Sequence, residues 1–281
     1  MTPVESPRSQ SSTLAMLPLS DLPDAVLAGV KGVFTDIDDT LTSEGRLPAS
    51  SYDALEALHE RGLAVIPITG RPAGWCDHIA RMWPVDAIVG ENGAFYFYYD
   101  VPARKLRQRF LAEASVREHN ARRLAEISKE SLAAVPGCAL ASDQFCRVTD
   151  LAIDFCEDVP PLPRESVQRI VDLMTQAGMT AKISSIHVNG WFGQYDKLTM
   201  TRMLMRERYG IDLDAARGDY VFVGDSPNDA PMFRYFPNSI GVANVREFTA
   251  DIEHPPAYVT QERCGAGFVE LTQRILAAGQ G

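Results

Sequence analysis

The apolar residues of this chain recur in short, continuous, β-leaning runs separated by amphipathic stretches. "KGVFTDID" (31–38) reads as a buried strand that ends in an acidic cluster. "SSYDALEALHERG" (50–62) reads as a helix with Leu55 and Leu58 inward, capped by Ser50 or Ser51 and stopped by Gly62. "LAVIPITG" (63–70) is a second buried strand, "AGWCDHIARMW" (73–83) a helix, and "DAIVGENGAFYFYYD" (86–100) a return to strand. Strand and helix in alternation predict a parallel sheet with helices on its faces.

The rhythm then changes. Residues 108–134 read as one long charged amphipathic helix or a pair. "QFCRVTDLAIDF" (144–155) and "MTAKISSIHVNGWF" (179–192) read as longer strands, with a helix over 164–177 between them. Their partial alternation suits antiparallel strands covered on one face. After Tyr195 the βα pattern resumes. It gives a helix over 196–210, a strand at "DYVFVGDS" (219–226), a helix at "DAPMFRYF" (229–236), a strand at "NSIGVAN" (238–244) and a last helix near 267–278. The predicted architecture is α/β, a Rossmann-like parallel-sheet core over 17–92 and 194–281 with an α+β insertion at 93–193. Residues 1–16, rich in Ser and Pro, read as a flexible tail.

Composition narrows the function classes. With 281 residues, 46% apolar residues and a formal net charge of −10, the chain reads as a globular protein. The negative charge argues against broad binding to nucleic acid or anionic membranes, both of which favour a basic face. No segment is apolar for long enough to cross a bilayer, and the first residues lack the pattern of a secretory leader, so the cytoplasm is the expected location. The five cysteines, without zinc-ligand spacing, are expected as buried reduced thiols.

Open parallel sheets bind ligands at the carboxyl ends of their strands. Four polar clusters fall at such ends: Asp36 and Asp38, Thr69-Gly70-Arg71, Lys197 at a helix start, and Asp225 through Asp229. Adjacent strands would bring Asp36 and Asp225 together, and clustered carboxylates suit a hard divalent cation such as Mg²⁺ together with a substrate phosphate.

"DIDDT", a strand ending in "TG", a later lysine and "GDSPND" occur in the order found in the haloacid dehalogenase superfamily, and the chain resembles its members throughout the core. The insertion between the second and third motifs resembles that superfamily's larger α/β cap, and "ENGA" (91–94) is similar to its core-to-cap junction. The nearest likeness is to the Cof-like and sucrose-phosphate phosphatase-like sugar phosphatases and to phosphomannomutase. The resemblance implies that Asp36 is the nucleophile and Asp38 the general acid and base. It implies that Asp36, Asp38 and Asp225 hold Mg²⁺, that Thr69, Gly70, Lys197 and Asn228 bind phosphate, and that Asp229 orients Lys197 or a metal water. Asp39 reads as a turn residue and Thr40 as ordering the loop through its hydroxyl. Arg71 reads as surface or as a substrate contact.

The expected function is therefore Mg²⁺-dependent hydrolysis of small phosphorylated metabolites, sugar phosphates first, by a monomer or homodimer. A phosphomutase with the same nucleophile is the alternative, and a non-catalytic sugar-phosphate sensor a further one. In the insertion, Ile186 and Val188 are expected on one strand face. Ser185, His187, Asn189 and Trp191 are expected on the other, where they would contact the part of the substrate away from the phosphate. Arg147, Thr149 and Asp150 are weaker candidates.

Overall fold

A computed structural model describes residues 16–184 and 186–279; most of the expected tail, 1–15, and Ser185 lie outside the described residues. Among the described residues the strands form three sheets. The largest runs, in spatial order, through Leu17–Pro18, Tyr258–Val259, Ser239–Gly241, Tyr220–Gly224, Gly32–Thr35 and Ala64–Pro67, and every pairing is parallel. This is the expected α/β core.

Both faces of that sheet are covered, which is why its strands read as unbroken apolar runs. Val33, Val65, Val221 and Val223 pack on one side with Leu55, Leu58, Ile79, Phe268 and Leu271 from the helices Ala49–Glu60, Ala73–Met82 and Cys264–Ala278. Phe34, Ile66 and Phe222 pack on the other with Met200, Leu204, Met232 and Phe233 from Lys197–Tyr209 and Ala230–Tyr235.

Two antiparallel sheets are added to this core. Ile88–Gly90, Phe95–Asp100 and Lys105–Phe110 form one of them, joined to the core sheet by a parallel bridge between Ile68 and Val89. The other runs in the order Ala139–Leu140, Asp150–Asp154, His187–Trp191 and Thr180–Ile183. Its apolar face, including Leu151, Ile153 and Val188, packs on Leu124, Ile127, Val167, Ile170 and Met174 from the helices Ala114–Ala134 and Arg164–Gln176.

Several local expectations change. The helix expected from residue 108 starts at Ala114, because Lys105–Phe110 pairs along its full length with Phe95–Asp100. The strand expected over 86–100 is broken at Glu91–Gly93, where Glu91 and Asn92 take left-handed backbone angles, and it folds back as a hairpin. The run 179–192 is also a hairpin and not one strand. In 144–155, a short 3-10 turn at Gln144–Cys146 precedes the strand Asp150–Asp154. The helix after residue 48 has Pro48 at its N-cap, which leaves Ser50 and Ser51 inside the first turn. Gly62, at φ +82°, closes it as expected. Of the cysteines only Cys76 is buried; the other four are partly exposed.

Candidate active site

The register of the core sheet assembles the site. Thr35 lies opposite Val223, so Gly32–Thr35 and Tyr220–Gly224 end level with one another. Asp36 N–H then donates to the Val223 carbonyl at 2.9 Å, which places the Asp36 side chain beside Asp225. Gly224 has no side chain for a steric reason, since a Cβ there would overlap the Asp229 carboxylate.

Lys197 arrives from 161 positions beyond Asp36 in the sequence. Its helix begins after Asp196, whose Oδ1 accepts the Thr199 N–H at 2.7 Å. Gly93, at φ +106°, lies against the Asp196 carbonyl so tightly that a Cβ would overlap it, and "ENGA" thus sets the position of the helix start. Lys197 Nζ donates to Asp36 Oδ1 and to Asp229 Oδ1, both at 2.7 Å. All four groups are buried: Lys197 is 4% exposed, Asp36 and Asp225 5% each, and Asp229 not at all.

Charge in this cluster does not balance. Burial raises the Asp36 pKa to about 7 although Lys197 opposes the shift. Burial, followed by Asp229 and Asp36, pushes Asp225 well above the usual carboxylate range. Burial works against the Lys197 charge, but Asp229 and Asp36 together outweigh it and its pKa is raised. When all three carboxylates are ionised, one ammonium leaves two negative charges uncompensated, the charge of one divalent cation. Asp36, Asp225 and Asp229 each offer an oxygen, all within 4.8 Å of one another. The donor set is hard oxygen throughout and fits Mg²⁺.

A family model described as haloacid dehalogenase-like hydrolase matches residues 33–131. Over these residues the chain resembles the haloacid dehalogenase-like hydrolases. It is 25% identical over 249 residues to a phosphoglycolate phosphatase of Methanospirillum hungatei, covering 86% of this chain and 95% of that protein. Among solved structures it is similar to a HAD/COF-like hydrolase from Plasmodium vivax, at a TM-score of 0.66, 17% identity and coverage of 90% of this chain and 99% of that one. It is also similar to a sugar phosphatase of HAD subclass IIB, at a TM-score of 0.54, 18% identity and coverage of 82% and 93%.

The acidic cluster opens into a cavity of about 550 Å³. Its floor is Asp36, Asp38, Gly70, Asp225 and Asn228; Ile183, Ile186, His187 and Asn189 line it from the antiparallel layer. The cluster of carboxylates does not coincide with the set expected to hold metal. Asp38 is turned away from Asp36 and Asp225 toward Arg71, and Asp229 takes its place in the cluster. Arg71 is not a surface residue: its side chain is 11% exposed and donates to both Asp38 oxygens at 2.7–3.0 Å. Thr69 is fully buried behind Gly70, and its hydroxyl accepts the Arg71 N–H at 3.0 Å. Asn228 accepts from the Ser226 hydroxyl at 2.9 Å, so these two side chains bond each other. Asp39, at φ +55°, is the turn residue expected, and Thr40 Oγ1 donates to Asp225 Oδ1 at 3.3 Å.

The residues on the far wall divide. His187 and Asn189 are buried and face the cavity. Trp191 does not line it; it is buried and stacked on Tyr195 at 5.6 Å, because the strand runs away from the opening. Ile186 precedes the strand and lines the cavity, so it does not share the covered face of Val188. Asn189 Nδ2 donates to Asp150 at 3.2 Å, and burial, then Arg147, lowers the His187 pKa. Arg147 ties the layers together: it pairs with Asp143 and Asp150 and donates to the Gly70 carbonyl at 3.1 Å.

Two contributors escape a reading of the sequence. Glu91 is wholly buried and accepts from Ala73 N–H, Val148 N–H and the Thr149 N–H and hydroxyl, although burial and Asp150 raise its pKa to about 7. Asn244 donates to Asp225 Oδ2 at 3.1 Å and to the Asp39 carbonyl at 3.0 Å. Its signal was its place just past the strand "SIG", a fifth strand end.

Proposed function

We propose that this hydrolase is a Mg²⁺-dependent phosphatase of small phosphorylated metabolites, sugar phosphates first, working through an aspartyl phosphate on Asp36. The observation that carries this reading is Lys197 between Asp36 and Asp229, beside Asp225, at the floor of a cavity. Asp36, Asp225 and Asp229 would hold the metal, which when bound neutralises the charge of the site and of the phosphate.

A phosphate on the floor meets the Gly70 backbone and the Asn228 side chain, with Lys197 alongside. Lys197 fixes one Asp36 oxygen by its 2.7 Å bond and leaves the other to attack phosphorus. The ester P–O bond breaks as Asp38 protonates the leaving oxygen. Water then attacks the aspartyl phosphate, Asp38 takes its proton, and Asp36 and inorganic phosphate are released.

His187 and Asn189 face the part of the substrate away from the phosphate and offer it polar groups, as a sugar needs. A cavity of about 550 Å³ exceeds what a two-carbon phosphoester fills, which favours larger substrates over phosphoglycolate. In this reading the segment after the hairpin of Phe95–Asp100 and Lys105–Phe110 is the cap, since Phe95, Phe97 and Phe110 pack with the core. The test is phosphate release from a panel of hexose, pentose and triose phosphates and phosphoglycolate, with and without Mg²⁺. Turnover favouring sugar phosphates supports the reading. Glucose 1-phosphate converted to 6-phosphate without phosphate release would favour a mutase, and no turnover of any ester would overturn the enzymatic reading.

A further inference from the structure

Arg71 is held on three sides. Its backbone N–H is fixed by the Thr69 hydroxyl. Its guanidinium forks onto both Asp38 oxygens, and its face lies over the Trp75 ring at 4.5 Å. The remaining edge, Nη1, faces two carboxylates of the antiparallel layer, Asp143 at 3.8 Å and Glu157 at 4.0 Å. Charge-assisted, two-pronged bonds fix a carboxylate in orientation as well as in distance. Asp38 needs such fixing: its side chain is 31% exposed, at the cavity edge, outside the cluster of Asp36, Asp225 and Asp229.

Resting on the phosphatase reading, we propose that Arg71 is a positioning residue that aligns Asp38 for proton transfer to the leaving oxygen, with the charges of Asp143 and Glu157 facing its far edge. The proton leaves the Asp38 carboxyl for the ester oxygen as the P–O bond breaks; in the second half the Asp38 carboxylate takes a proton from the attacking water. Arg71 exchanges no proton. Its far edge faces the Asp143 and Glu157 carboxylates, so Arg71 and Asp38 take this alignment with the antiparallel layer over the cavity. The aspartate that does the acid–base work is thereby linked to the wall that contacts the substrate's distal part.

The experiment uses phenyl phosphates graded in leaving-group basicity by their ring substituents, which share the phosphoryl group and the aryl ring. kcat/KM runs only as far as departure of the leaving group, and a good leaving group needs no proton. In Arg71→Lys and Arg71→Gln, kcat/KM for phenyl phosphate falls by about 10²-fold, while that for a dinitrophenyl ester falls far less. The plot of log kcat/KM against leaving-group pKa therefore steepens. In an Asp38→Asn background the Arg71 substitutions steepen it no further. Equal losses across the series, or steepening that persists without Asp38, overturn the proposal. Should both Arg71 variants fail to fold, Glu157→Gln, at a carboxylate one-third exposed, gives the same readout: a steeper plot supports the role and an unchanged slope overturns it. If the unaltered protein hydrolyses none of the series, the phosphatase reading itself has failed, and if it hydrolyses all with variants parallel to it, only the role of Arg71 has.

Discussion

Lys197 Nζ lies 2.7 Å from Asp36 Oδ1 across 161 positions of sequence. Neither residue is exposed enough for water to compensate its charge, so each depends on the other. Lys197→Met leaves Asp36 and Asp229 buried without their cation. Turnover is expected to fall by about 10²-fold or more, as for loss of a preorganised electrostatic group. The melting temperature of the metal-free variant is expected to drop more at alkaline than at mildly acidic pH, where protonation relieves the repulsion. Steady-state kinetics and thermal melts at both pH values check this.

The pH dependence of the unaltered protein follows from Asp36 and Asp225. Burial raises Asp36 to about 7 and pushes Asp225 the same way. A carboxyl with a folded pKa above its unfolded value binds its proton more tightly in the native state. Its contribution to stability is full below the ordinary carboxylate range and is lost as pH rises from about 4 through about 7. Metal-free protein should therefore melt higher near pH 5 than near pH 8. Mg²⁺ competes with those protons, so it should raise the melting temperature more at the higher pH. Calorimetry at the two pH values, with and without Mg²⁺, reads the effect directly.

Asn244 fixes Asp225 from outside the acidic cluster, and Cys264 N–H in turn fixes Asn244 Oδ1 at 2.9 Å. Asn244→Ala should weaken Mg²⁺ binding by about 10–100-fold, the usual cost of losing a partner that orients a ligand. Titration calorimetry of the metal-free protein measures this without any turnover. The KM for substrate at saturating Mg²⁺ should change much less.

His187 and Asn189 should govern selectivity. Removing a buried hydrogen-bonding group that meets the substrate costs about 1–3 kcal/mol for that substrate. His187→Ala and Asn189→Ala are expected to lower kcat/KM for the preferred metabolite by that amount and to spare a small aryl phosphate. Trp191, stacked on Tyr195 behind the wall, should act on stability and not on the ratio.

The floor of the cavity was legible because it consists of strand ends. A strand buried on both faces is a continuous apolar run, and the charge that interrupts it marks where the sheet meets the ligand; Asp36 and Asp225 were placed in this way, and the register confirms their proximity. Sequence could not show which way a side chain turns once the strand ends. Asp38 lies two residues beyond Asp36, yet it swings to Arg71, and Asp229, brought close by the turn after Gly224, joins the cluster. The antiparallel layer was harder. Alternation along 179–192 does not reveal the reversal between Ile183 and His187, and that reversal decides that Ile186 lines the cavity while Trp191 is turned away from it. Glu91 was hidden for a different reason: its partners are mostly backbone N–H groups at Ala73, Val148 and Thr149, and these carry no sequence signal.

The central claim is that Asp36 carries the phosphoryl group. The direct measurement is acid quench of the enzyme in mid-turnover with a phosphorylated substrate and Mg²⁺, followed by peptide mass spectrometry. The account predicts one phosphoryl group on the peptide containing Asp36, absent from Asp36→Asn, with that variant folded and inactive. A phosphoryl group on another residue, or an Asp36→Asn protein with near-normal turnover, would contradict it.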